Sequence, residues 1–201
     1  MYITRTPLRI SLGGGGTDLP SYYKNSGGIV LSAAINKYIY ISINEPFTDN
    51  YILKYSKIEN HNKILDITHP IIREVLLEYG KNLPRIEITS AADIPAGTGL
   101  GSSSSFAVGL IKALHDYQNK KINTFKLAEA ACYIELNKLR EPIGKQDQFI
   151  AAYGGLKVLK FNSNDSVEVN NLNISKENLL KLEKRIHLYF TGITRSASEI
   201  L

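Results

Sequence analysis

The chain opens on an alternation of apolar and polar positions. Leu8, Ile10 and Leu12 take turns with Arg9 and Ser11, the period-two pattern of a half-buried strand, which sets Arg9 and Ser11 on the opposite face. A longer β-rich run lies between Gly28 and Asn44, carried by Ile29-Val-Leu31 and Ile39-Tyr-Ile-Ser-Ile43. Tyr51-Ile-Leu-Lys-Tyr55 follows a Pro/Asp/Asn turn, and the polar stretch from Ser56 to Lys63 predicts an exposed loop. Pro70 opens an amphipathic helix through Ile72, Val75, Leu76 and Tyr79, and Gly80 ends it. After a strand-like run, Arg85-Ile-Glu-Ile-Thr-Ser90, the period changes. Phe106 to Leu114 is apolar almost without a break, as in a buried helix, and helices are predicted over 103–117 and 124–139, the second capped by Thr124. Gly154-Gly155 closes a further helical turn, and Leu156-Lys-Val-Leu-Lys-Phe161 reads as a strand. Asn162 to Asn173 is a hairpin or loop, Ser175 starts a charged helix to about Lys184, and Arg185-Ile-His-Leu-Tyr-Phe190 is another strand. Strand and helix blocks are mixed without regular βαβ alternation or internal repeat, so the fold class is α+β.

Composition narrows the classes. The 201 residues with 43% hydrophobic content suffice for one good core. A single cysteine, Cys132, excludes a disulfide framework within the chain and suits a reducing, cytoplasmic compartment. No apolar run reaches transmembrane length, and Met1-Tyr-Ile-Thr-Arg5 lacks the apolar centre of a signal peptide, so no membrane partner is expected. The net charge of +5 is scattered along the chain, which suits anionic small molecules and gives no nucleic-acid footprint. His61, His69, His115 and His187 are too widely spaced for a zinc site, and the twelve tyrosines are assigned to packing.

Two glycine clusters carry the candidate chemistry. The first, Asp93-Ile-Pro-Ala-Gly-Thr-Gly-Leu-Gly-Ser-Ser-Ser-Ser105, stands between the strand at Arg85 and the buried helix. Gly97, Gly99 and Gly101 let backbone N–H groups close around an anion, and the helix start adds unpaired N–H groups and a positive dipole end. The hydroxyls of Ser102 to Ser105 can add hydrogen bonds or a metal ligand. Neither the P-loop Gly-x-x-x-x-Gly-Lys-Ser/Thr nor the dinucleotide Gly-x-Gly-x-x-Gly spacing is present, and a flexible Gly/Ser loop is the competing reading. The second cluster, Thr6-Pro-Leu-Arg-Ile-Ser-Leu-Gly-Gly-Gly-Gly-Thr-Asp18, runs a strand into four glycines followed by Thr17 and Asp18. Asp18 can accept hydrogen bonds from a sugar hydroxyl, or it can cap a turn in a glycine hairpin.

Together the clusters resemble the GHMP kinases. The first family motif matches Pro7-Leu-Arg9 with Gly13 to Asp18, and the second matches Pro95-Ala-Gly-Thr-Gly-Leu-Gly-Ser-Ser103, which is highly specific. The Gly-Gly-Gly-Gly-Thr-Asp form, with Gly27-Gly-Ile-Val-Leu-Ser-Ala-Ala-Ile-Asn-Lys-Tyr38 behind it, is most similar to the branch of D-glycero-D-manno-heptose 7-phosphate kinases. The resemblance continues through Gly144-Lys-Gln-Asp-Gln148 and Phe190-Thr-Gly-Ile-Thr-Arg195. It implies a GHMP kinase N-terminal domain, of the ribosomal protein S5 domain 2-like fold, over 1–184, and only the start of the family's C-terminal α+β domain over 185–201. A shortened chain of this kind is expected to turn over poorly alone and to be able to form a homo-oligomer through Leu188 and Phe190.

The same resemblance implies an ATP site at Pro95, Gly97, Thr98, Gly99, Leu100, Gly101, Ser102, Ser103 and Ser104, and Mg²⁺ held by Ser103 and Glu135. A carboxylate and a hydroxyl are hard oxygen donors of the kind Mg²⁺ prefers. Glu135 projects from a small apolar helix face with Ala128, Ala131 and Cys132, where a carboxylate is costly unless paired. The alternative for it is a salt bridge to Lys138 or Lys112. Asp147 is implied as catalytic base with Arg9 beside it, or else as an N-cap of the turn through Ala151. Substrate contacts are implied for Arg9, Gly15, Gly16, Thr17, Asp18 and Asp147, and Arg195 or Lys37 could meet a second phosphate. The implied reaction moves the ATP γ-phosphate to the anomeric O1 of the heptose 7-phosphate. Another sugar or small alcohol, or a non-catalytic ligand-binding homologue, are the alternatives.

Overall fold

The computed structural model describes residues 1–81 and 83–192. The long apolar run near the N-terminus becomes one strand, β2 (Gly28–Asn44), and the rest of the sheet is built on its two edges. Along one edge lies β1 (Tyr2–Gly13), antiparallel from Tyr2 opposite Ile43 to Gly13 opposite Leu31. Along the other, β6 (Leu156–Phe161) pairs antiparallel with the first half of β2 and β5 (Glu87–Ala92) with the second half. Next to β5 runs β3 (Tyr51–Lys54), parallel to it, and β4 (Ile58–His61) pairs with β3; β7 (Val167–Asn171) pairs with β6. The result is one mixed seven-stranded sheet.

Helices cover one face of it. α3 (Ser102–Tyr117) packs on β1 and β2, and against α3 lie α2 (Pro70–Tyr79), α4 (Thr124–Cys132) and α5 (Gln146–Tyr153). The reason α3 is apolar all round is visible here, since it touches the sheet on one side and three helices on the others. Leu8, Ile41, Ile43, Leu53 and Ile88 of the sheet meet Leu110, Ile111 and Leu114 of α3 and Val75 and Leu76 of α2, all essentially without solvent contact. Each such side chain contributes about 1.5–3 kcal/mol of burial. A smaller cluster of Tyr23, Val30, Phe149, Leu159 and Phe161 lies under β6. Among the described residues no helix is long and apolar enough to cross a membrane.

Several elements differ from the sequence reading. The polar stretch 56–63 forms β4, because its backbone pairs with β3 whatever its side chains. A short helix, α1 (Pro20–Ser26), follows the glycine turn and buries Tyr23. Leu12 is exposed where the alternation placed it inside, and it lies at a register shift between Ser11 and Gly13 that interrupts the alternation of faces. The helix expected over 124–139 changes to a π-helical turn, Tyr133–Lys138, after α4. α6 (Lys176–Glu183) is capped by Ser175 as expected. The strand expected at Arg185–Phe190 is not formed: no described strand lies beside it, and Ile186, Leu188, Tyr189 and Phe190 are exposed. Arg195 lies outside the described residues.

Candidate active site

The two glycine clusters, 80 residues apart in sequence, meet through Arg9. Its strand position on β1 aims it off the core face, and all three guanidinium nitrogens find acceptors. Nε and Nη2 donate to the two carboxylate oxygens of Asp147 at 2.6 and 2.7 Å, and Nη1 donates to the carbonyl of Gly99 at 2.6 Å. The Arg9 backbone N–H donates to the Leu100 carbonyl at 3.1 Å. One residue thus clamps the glycine loop to the first turn of α5. A two-point guanidinium–carboxylate contact fixes orientation as well as charge. Asp147 is therefore no N-cap; it stands inside α5, whose cap residue is Lys145.

Gly101 is where the loop turns into α3, with φ of 72°. A Cβ there would lie 3.0 Å from Asp147 Oδ2 and 3.3 Å from Arg9 Cγ, so both backbone and space call for glycine. No side chain caps α3, which leaves the N–H groups of its first turn open to an anion above the loop. Pro95 and Gly99 are exposed, Gly97, Thr98, Gly101 and Ser102 half-buried, and Leu100 faces the core. The Thr98 hydroxyl donates to the Pro95 carbonyl within the loop. Ser105 turns its hydroxyl to the Pro7 carbonyl at 2.8 Å and fastens α3 to β1.

Below the loop sits Glu135, 1% exposed, on the π-helical turn. Neither lysine weighed for it is its partner, since Lys138 pairs with Glu78 and Lys112 with Asp116. Its partners are neutral: Ser103 Oγ donates to Oε1 at 2.5 Å, and Ser104 Oγ and Gln148 Nε2 donate to Oε2 at 2.7 and 2.6 Å. Burial pushes its carboxyl above the usual range, the three donors pull it back in part, and the nearby charge of Asp147 adds to the rise. The Ser104 hydroxyl, buried on Glu135, is consequently not offered to a ligand. A π-turn in mid-helix rotates the following side chains relative to an α-helix, and this one carries Glu135 to the serines at the α3 start.

The N-terminal glycine cluster, Gly13 to Gly16, folds into turns between β1 and α1. Thr17 donates its hydroxyl to the Gly14 carbonyl at 2.7 Å and accepts the Ile29 N–H at 3.1 Å, so that hydroxyl holds the loop itself. Gly15 is exposed and Gly16 half-buried at the mouth of this loop. Asp18 is 2% exposed and accepts from the backbone N–H and the side-chain amide of Gln146, each at 3.1 Å. Burial raises its carboxyl above the usual range, against the Gln146 N–H and with the charge of Asp147. Asp18 therefore holds the short segment 144–147, which ends in Asp147, through Gln146. Gln146 and Gln148 entered the sequence reading only as members of the Gly144–Gln148 motif, with no role of their own. Behind this segment lies a cavity of about 580 Å³ lined by Leu19, Tyr23, Leu136 and Ile143, in which Lys24 and Lys145 both face Asp165 at 3.5 Å.

Comparison with known proteins agrees with this geometry. Residues 62–155 match the family described as GHMP kinases N terminal domain. The chain is 36% identical over 209 aligned residues to the D-glycero-alpha-D-manno-heptose 7-phosphate kinase of Campylobacter jejuni, covering 98% of this chain and 61% of that protein. Among solved structures, a D-glycero-D-manno-heptose 1-phosphate kinase from Bacteroides thetaiotaomicron superposes with a TM-score of 0.83 at 29% identity, over 91% of this chain and 63% of that one. A putative sugar kinase from Campylobacter jejuni superposes with a TM-score of 0.80 at 34% identity, over 98% of this chain and 63% of that one. The chain thus spans a little over three fifths of these relatives. The family match, the shared fold and the join between the two glycine motifs lead to one assignment: residues 62–155 match a GHMP kinase N-terminal domain.

Proposed function

We propose that the protein is an ATP-dependent sugar kinase whose acceptor is a heptose phosphate, phosphorylated at the anomeric O1 of D-glycero-D-manno-heptose 7-phosphate. The observation that carries the kinase reading is the Arg9 clamp, which joins a carboxylate to a glycine loop at the open start of a buried helix. The acceptor reading rests on the relatives, whose names place the sugar phosphate at different positions, 7-phosphate in one and 1-phosphate in the other. Residues 1–184 would bind both substrates, and 185–201 would begin the family's second domain.

The chemistry follows from the residues. The loop from Gly97 to Ser102 and the first-turn amides of α3 cradle the polyphosphate, binding charge with backbone dipoles that need no rearrangement during transfer. The donor set below it, one buried carboxylate without a cationic partner and the Ser103 hydroxyl, fits Mg²⁺, which is content with few protein oxygens when phosphate and water complete its shell. When bound, that ion neutralises charge on the phosphates. Arg9 holds the Asp147 carboxylate by both oxygens, and each oxygen keeps a further lone pair for a proton. As the sugar O1 attacks phosphorus, its proton passes to Asp147, the O1–P bond forms, the bond to the bridging oxygen breaks and ADP leaves. The transition state is loose, so orientation by Asp147 contributes along with basicity. Asp18 shapes the acceptor side by holding the 144–147 segment through Gln146.

The test is a panel of sugars and sugar phosphates assayed for ADP release, with the new phosphate located by NMR. Phosphorylation of heptose 7-phosphate at O1 is expected. Preference for an unphosphorylated sugar such as galactose, or transfer to another hydroxyl, would overturn the acceptor and leave the kinase standing.

A further inference from the structure

The strongest unexplained group near the site is Gln148. It is fully buried on α5, directly after Asp147, yet half of its amide has no partner: Nε2 donates to Glu135 Oε2 at 2.6 Å while Oε1 is buried without a hydrogen bond. Flipping the amide would set oxygen against a carboxylate oxygen, so the neighbour dictates the orientation. A stranded buried acceptor costs stability, and an apolar side chain of similar size would avoid that cost. The feature this cost accompanies is the grip on Glu135.

That grip is asymmetric. Oε2 receives two donors from buried side chains, Ser104 and Gln148, whereas Oε1 receives one, from Ser103 at the exposed end of the helix. Two donors on one oxygen fix the carboxylate plane and the direction of the other oxygen. We infer that Gln148 is a positioning residue, which with Ser104 locks Oε2 of Glu135 and so presents Oε1, beside Ser103, to a divalent cation. The inference rests on the reading of Ser103 and Glu135 as metal ligands. Gln148 also ties the carboxylate to the helix turn that carries Asp147, so cation and base share one rigid support. Outer partners of this kind hold ligand geometry, and their loss costs about 10- to 100-fold in metal affinity.

The experiment uses Mn²⁺ as the probe. Free Mn²⁺ is titrated by electron paramagnetic resonance against the 201-residue chain with ADP, for the wild type and for Gln148→Met, Gln148→Glu and Glu135→Gln. ADP binding is measured separately in EDTA. Gln148→Met and Gln148→Glu are expected to weaken Mn²⁺ by about tenfold or more with metal-free ADP binding unchanged. Mn²⁺ affinity within twofold of wild type in Gln148→Met, or equal losses of Mn²⁺ and metal-free ADP binding, would overturn the inference. If Glu135→Gln leaves Mn²⁺ affinity unchanged, the metal reading itself is wrong. If Glu135→Gln weakens Mn²⁺ while the Gln148 variants do not, only the role of Gln148 fails. Should neither Gln148 variant fold, the side-chain amide resonance of Gln148 in the wild type decides. It is expected to resist solvent exchange and to shift when Mg²⁺ and ADP are added; free exchange, or no shift, counts against the inference.

Discussion

Glu59 and Glu135 are both buried carboxylates, 7% and 1% exposed, and burial has opposite net outcomes at the two. Burial raises both. At Glu59 the rise is outweighed by the Tyr55 hydroxyl at 2.5 Å, the Thr68 N–H at 2.7 Å and His61 at 2.8 Å, and its pKa is held down to about 2. The His69 N–H adds a fourth contact at 3.2 Å, so the carboxylate closes the entry to α2. At Glu135 three donors from neutral side chains do not outweigh burial, and the group stays raised. The difference lies in depth and in partners: Glu135 is the more deeply buried and accepts from two serine hydroxyls and one side-chain amide, whereas Glu59 accepts from the Tyr55 hydroxyl, two backbone amides and an imidazole. A carboxylate completed by its own chain serves the fold. One left without a countercharge, under an open helix start, suits a cation brought from outside.

The comparison is broken most severely at the active site. Asp147→Asn keeps shape and removes the proton acceptor, and kcat is expected to fall on the order of 10²-fold or more. The thermal midpoint is expected to fall as well, since Arg9 loses a charged partner that it holds by both oxygens. The measurement is steady-state kinetics beside thermal unfolding, in a preparation whose wild-type control turns over. Near-normal kcat would reduce Asp147 to a substrate contact.

At Glu59 the expected loss is in stability. Glu59→Gln replaces a charged acceptor of four contacts by an amide that can satisfy only some of them, for a cost of about 2–3 kcal/mol. The pH dependence carries the same signature. A carboxyl whose folded pKa lies below its unfolded value of 4.5 stabilises the fold at higher pH, and that contribution is lost as pH falls from about 4.5 through about 2. The wild type should therefore lose stability over that window, and Glu59→Gln should lose less. Parallel curves for the two proteins would show that Glu59 has no part in acid unfolding.

How far the sequence foretold these two sites differs too. The Arg9–Asp147 meeting and the place of Glu135 near Ser103 were legible only through the family resemblance that the glycine-rich motifs carry, since spacing alone offered an N-cap for Asp147 and lysines for Glu135. The Glu59 network was not, since β4 is a polar edge strand whose Ile58-Glu-Asn-His61 has no apolar alternation and whose existence depends on β3. α1 escaped notice for a related reason: seven residues are too few for a period, and Tyr23 is held by packing from β6. The hydrogen-bond partners of Glu135 escaped because spacing along one helix suggested lysines, while α3 supplies the Ser103 and Ser104 hydroxyls and α5 supplies Gln148. The expected strand at Arg185–Phe190 had the right period but no described neighbour to pair with.

Gly144 tests how tightly the acceptor side is built. A Cβ at this position would lie 1.8 Å from Asp18 Oδ2 and 2.9 Å from the Asp18 carbonyl oxygen, so the 144–147 segment cannot keep its place with alanine there. Gly144→Ala is expected to cost about 1–3 kcal/mol as overpacking and to raise KM for the acceptor sugar more than for ATP. Equal changes in both KM values would place the disturbance in the fold at large.

The smallest expected effect belongs to Lys138, the residue that spacing alone offered to Glu135. Its ammonium lies 3.3 Å from Glu78 Oε2 on the surface, with both side chains about a third exposed. Such a pair is screened by water and salt and contributes little. Lys138→Gln should therefore leave the thermal midpoint within measurement error and Mn²⁺ affinity unchanged. The two readouts separate the possibilities. A drop in stability alone would mean that the Glu78 pair matters more than its exposure suggests. Any rise in Mn²⁺ affinity would mean that the lysine had been competing with the cation for Glu135, and that the carboxylate is not held by neutral donors alone. No change in either places Lys138 outside the site and leaves Glu135 as the buried charge without a countercharge, on which the contrast with Glu59 depends.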